Sequence, residues 1–99
     1  MASLTVISWR DIPAQVVAGR GRDRIRHELS PRFQIAIDRA AMAAGLIGTD
    51  TYLEQWKSTS RECGDDLETE VATEAARLEA AYDPERIDHI VARGGAEDR

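Results

Sequence analysis

The chain opens on an alternation. Leu4, Val6 and Ser8 fall on one side of a pleat and Thr5, Ile7 and Trp9 on the other, with β-branched residues dominating, so a strand is predicted over 4–9. Arg10-Asp11-Ile12-Pro13 supplies turn chemistry, and Ala14 to Ala18 reads as a second strand ended by Gly19-Arg20-Gly21; the two form a hairpin. In the polar stretch that follows, Ile25 and Leu29 stand four apart and allow a short helical turn. Ser30-Pro31 then gives a cap followed by a proline where its missing N–H costs nothing. Phe33, Ala36, Ile37, Ala40, Ala41 and Ala44 recur at three- and four-residue steps up to Gly45, the apolar stripe and left-handed stop of a helix.

The second half carries more charge but keeps the helical period. Residues 52–60 read either as a third strand or as a short helix capped by Thr49; the alternation of Tyr52, Glu54, Trp56 and Ser58 favours the strand. Asp65 or Asp66 caps a long helix in which Leu67, Val71, Ala75, Leu78 and Tyr82 follow the helical repeat. Asp83-Pro84 repeats the cap-plus-proline signal ahead of a shorter helix with Ile87, Ile90 and Val91. Residues 94–99 are expected to form a disordered tail. The predicted order is β-β-α-β-α-α, a single α+β domain over 1–93 whose small antiparallel sheet packs against helices on one face.

Length and composition narrow the class. Ninety-nine residues leave room for one domain, and 42% apolar with 31% charged residues is ordinary for a soluble one. The longest apolar run, Ala40 to Gly48, is half of what a membrane span needs, so no membrane role is expected. The opening residues lack the basic start and long apolar stretch of a secretory signal, which points to the cytoplasm. One cysteine, Cys63, excludes an intramolecular disulfide. A core this small makes a protein partner or a homodimer a natural supplement to stability.

Charge splits the chain in two. Residues 1–50 hold seven Arg against five acids, net +2, and residues 51–99 hold six Lys or Arg against thirteen acids, net −7. The arginines cluster: Arg20, Arg22, Arg24 and Arg26, with Arg32 beyond, offer planar forks suited to phosphate or carboxylate. A solvated or protein-facing loop is the ordinary reading of such a run; nucleic acid or another polyanion is the alternative. Cys63 stands just before a helix start, where the dipole favours a thiolate, but Asp65 and Asp66 oppose it. His27, Cys63 and His89 have no metal-ligand spacing, so neither a metal nor another cofactor is expected.

Three blocks go further. Val6-Ile7-Ser8-Trp9-Arg10-Asp11-Ile12-Pro13-Ala14-Gln15-Val16, Arg32-Phe33-Gln34-Ile35-Ala36-Ile37-Asp38-Arg39-Ala40-Ala41-Met42 and Thr49-Asp50-Thr51-Tyr52-Leu53-Glu54-Gln55-Trp56 resemble the small bacterial "virulence factor" domain family, related to a domain of conserved virulence factor C. The resemblance covers about residues 4 to 82. It implies no enzymatic activity and transfers no catalytic residues; stand-alone members are associated with gene clusters for folate-linked one-carbon transfer, which suits an accessory subunit.

The sequence therefore predicts a non-catalytic interaction module or accessory subunit. Its partner contacts are expected at Trp9, Arg10, Asp11 and Trp56, since Trp and Arg most often anchor interfaces. The alternative is anion or nucleic-acid binding through Arg20, Arg22, Arg24, Arg26 and Arg32.

Overall fold

The computed structural model describes residues 1–97, and Asp98 and Arg99 lie outside the described residues. Strands β1 (Ala2–Trp9) and β2 (Ile12–Arg20) form the predicted hairpin. β3 (Asp23–Glu28) follows, then α1 (Pro31–Ala43), α2 (Asp50–Glu54), β4 (Trp56–Cys63), α3 (Leu67–Ala81) and α4 (Pro84–Ala92). The sheet is antiparallel throughout, in the order β3-β2-β1-β4. The class is α+β, with one strand and one short helix more than the sequence predicts.

The added strand corrects the short turn expected around Ile25 and Leu29. Arg24, Arg26 and Glu28 take one face of β3 and Asp23, Ile25 and His27 the other, in register with β2. The segment 52–60 resolves into both of its readings. Thr49 caps α2 by accepting from the Tyr52 N–H, and the strand starts only at Trp56 and runs on to Cys63.

The helices obey their local signals. Gly45 adopts φ 71° after α1, and the Leu46 N–H reaches back to the Ala41 carbonyl at 2.9 Å, a Schellman closure that only a left-handed residue permits. Asp66 caps α3 and Asp83 caps α4 with their side chains. Ser30 does not cap α1 through its hydroxyl; its N–H and hydroxyl both donate to Glu79 on α3, at 2.7 and 2.9 Å. Arg32 stacks on Phe33 and donates to the Glu79 carbonyl, so the start of α1 is pinned to the end of α3.

One core joins these elements. Leu4, Val16 and Ala18 from the sheet, Phe33, Ile37 and Ala40 from α1, Val71 and Leu78 from α3 and Ile90 from α4 are all buried in it. α3 lies chiefly over β2 and β3, while α1 packs on α4. The consequence for function is a sheet covered unevenly: β4 is left exposed and β1 is only partly covered.

Candidate functional site

That partly covered side is a cleft. By register, Leu4, Val6 and Ser8 on β1 stand opposite Arg61, Thr59 and Lys57 on β4, all toward the helices. Leu78 of α3 and Tyr82, just past its end, form the far wall, and the recess measures about 310 Å³. It shares Ser8, Thr59 and Tyr82 with a second recess of about 320 Å³ that Arg10, Asp11, Lys57 and Glu97 line. An apolar floor under a few convergent polar groups is the ordinary anatomy of a binding site.

The rim is built from ion pairs. Glu74, with a side chain only 8% exposed, takes Arg77 from its own helix and Arg61 from β4 at 3.6 Å. The hydrogen bonds from Arg77 hold its carboxyl below the usual range against the opposing effect of burial, with Arg61 adding to the pull. Lys57 meets Asp11 at 3.2 Å. Burial pushes the Tyr82 phenol up, and the Arg86 guanidinium lies 4.0 Å from its ring centre.

These acids make stability depend on pH. Hydrogen bonds from Arg86 lower Glu97. For Glu79, burial works upward but the Ser30 N–H and hydroxyl with Arg32 outweigh it. Because the folded values of Glu74, Glu79 and Glu97 lie below the unfolded 4.5, their contribution is present above that value and is lost as pH falls through the folded ones. The urea midpoint should drop from about pH 5 to about pH 3, and Glu74→Gln should flatten that drop. A midpoint unchanged over the interval would contradict this.

Of the four sequence-predicted partner residues, Arg10 and Asp11 line the second recess, and Trp9 and Trp56 lie elsewhere. Trp9 is 0% exposed, so it is no surface anchor; its Nε1 donates to the Tyr52 carbonyl at 2.8 Å. Arg10, at φ 51°, turns the hairpin and donates to Gln55 Oε1 and the Gly94 carbonyl. Asp11 accepts from Lys57 and, at 2.7 Å, from the Glu97 N–H. Trp56, half-buried, lines a separate recess with Gln15, Glu28 and Gln34, where Gln15 Oε1 has no hydrogen-bond partner among the described residues.

The expected tail reaches the second recess too. Gly94 to Glu97 lie along the hairpin turn: the Asp11 N–H donates to the Gly95 carbonyl at 2.9 Å, and Arg86 grips Glu97 with two nitrogens. The part of that expectation concerning residues 98 and 99 lies outside the described residues.

The five arginines do not form one patch. Arg24 and Arg26 share the sheet face away from the helices, beside Val17 and the Thr5–Ser60 hydroxyl pair at 2.8 Å. Arg22 is exposed in the turn before them. Arg20 pairs with Asp65 at 3.4 Å, and Arg32 is spent on α3. Cys63 ends β4 opposite Ala2. Among the described residues no group of three or more His, Cys, Asp or Glu is placed to hold a metal, and no helix is long and apolar enough to cross a membrane.

The model of the family described as "Virulence factor" matches residues 7–91, most of the chain. The chain belongs to the virulence factor family. No curated protein and no solved structure matches it. The match to this virulence factor domain takes in β2, β4 and α3 whole but only the end of β1, so Leu4 and Val6 of the cleft lie outside it. The sequence missed the cleft's Lys57, Thr59, Arg61, Glu74 and Arg77. The only signal was the two cations, Lys57 and Arg61, four apart in an otherwise hydroxyl-rich strand.

Proposed function

We propose that this virulence factor domain is a non-catalytic binding module, an accessory subunit of a bacterial protein complex in folate-linked one-carbon transfer, and that it takes its partner at the cleft between α3 and the β1–β4 side of the sheet. One observation carries the reading: α3 and the β1–β4 side of the sheet enclose a recess of about 310 Å³ with Leu4, Val6 and Leu78 in its lining, beneath a rim of Lys57, Arg61 and Arg77. The rim's charges are held in ion pairs, Lys57 with Asp11 and both Arg61 and Arg77 with Glu74, an arrangement that serves recognition better than bond making.

Site-directed photo-cross-linking in the native cell tests it. A benzoylphenylalanine at Thr59 should give an adduct with one partner in fixed ratio, and the same group at exposed Met42 on α1 should not. Equal adducts from both positions, or none, would defeat the reading.

A second reading rests on the exposed Arg22, Arg24 and Arg26. If they grip phosphates, oligonucleotide affinity falls steeply with salt and the double variant Arg22→Ala/Arg24→Ala flattens that slope. Asp23 and Glu28 on the same strand work against it, and no binding at low salt would end it.

A further inference from the structure

We infer that β4 is a strand-addition site for an extended acidic segment of a partner protein, with acids two residues either side of a small apolar one. The inference rests on the binding-module reading and names the partner's chemistry. Among the described residues β4 is the last strand on its side of the sheet, so one full row of its backbone N–H and C=O groups has no neighbouring strand there. Everything between Trp56 and Cys63 is exposed. Such an edge is a template for another strand.

Charge selects the occupant. Lys57, Thr59 and Arg61 share the face toward the helices, opposite Ser8, Val6 and Leu4. The cations are far more exposed than their ion-pair partners: Lys57 is 51% exposed against 17% for Asp11, and Arg61 56% against 8% for Glu74. A strand arriving at this edge therefore meets the cations first. Residues directly opposite one another across two strands interact, and opposite charges there are favourable. An added strand would place one acid against Lys57, one against Arg61, and between them a side chain against Thr59. The other face of β4 offers Ser58, Ser60 and Glu62, which suits hydroxyl residues at the alternate positions.

The opposite edge makes a poorer template. β3 carries Asp23 and Glu28 among its arginines, and α3 already lies over its helix-side face.

Two fluorescent peptides decide the matter by anisotropy, one containing Glu-Thr-Val-Thr-Glu and the other Lys-Thr-Val-Thr-Lys. The wild-type domain should bind the acidic peptide about tenfold more tightly. Lys57→Gln/Arg61→Gln should erase most of that preference, with circular dichroism confirming that the variant is folded. Methylating alternate backbone nitrogens of the acidic peptide, in the two possible sets, should abolish binding for one set. Equal affinity for both peptides, or binding indifferent to methylation, would overturn the proposal. Binding of neither would also overturn it, leaving the cations as guards against edge-to-edge aggregation. In those cases a cross-link from position 59 would still sustain the binding-module reading, and its loss would remove that reading separately.

Discussion

Trp9→Ala should cost about 3–5 kcal/mol of folding stability, the range for deleting a large aromatic from a core. A domain of this size has only about 5–15 kcal/mol to lose, so the variant should be largely unfolded at modest urea concentration. Three features place Trp9 at the top of the range. It is fully buried, its ring lies 5.5 Å from that of Tyr52 with Tyr52 leading on to Trp56, and its indole N–H satisfies the Tyr52 carbonyl. Trp9→Phe keeps much of the volume but removes one of the two hydrogen bonds to that carbonyl, which still accepts from the Gln55 N–H at 3.3 Å, so it should cost about 1 kcal/mol. Urea denaturation followed by far-ultraviolet circular dichroism ranks the three proteins. An alanine variant within about 1 kcal/mol of wild type would mean that the site collapses around the gap, contrary to the packing described.

The second large effect is expected from Gly95→Ala. Gly95 adopts φ 98°, and an added Cβ would lie 2.7 Å from Cζ3 of Trp9. The strained backbone and the overlap each cost on the order of 1–3 kcal/mol. The chain has an escape, because the terminal segment can lift off the hairpin. That exit removes the acceptor of the Asp11 N–H. Hydrogen exchange distinguishes the two responses: lifting the segment speeds exchange at Asp11 and Glu97, whereas global destabilisation speeds the β2 core as well. Unaltered exchange at Asp11 together with unaltered stability would contradict the close approach.

The elements that the sequence announces are those whose cause is local. Ser30-Pro31, Asp66 and Asp83-Pro84 mark helix starts from adjacent residues, and the hairpin follows from alternation around a turn. β3 escapes notice because its outer face meets water and its inner face carries a single apolar residue, Ile25, so nothing distinguishes it from a polar loop. Tyr52 continues the alternation of Trp56 by coincidence while its own backbone belongs to α2. Gly94-Gly95 reads as fraying because its reason for order lies more than eighty residues earlier, in Trp9 to Asp11. The cleft depends on where α3 crosses the sheet, which no single segment encodes. Trp9 illustrates the opposite hazard: a residue type suited to interfaces is taken inside by the fold.

The docking of Gly95 over Trp9 also sets an order of events at the ribosome. β1 and β2 emerge first and can pair at once. At roughly 5–20 residues per second, Gly95 follows Trp9 by about 4 to 17 seconds. For that interval the indole has no lid, and until β4 is made the other edge of β1 is bare. The nascent hairpin is thus the stage at which a chaperone has most to protect.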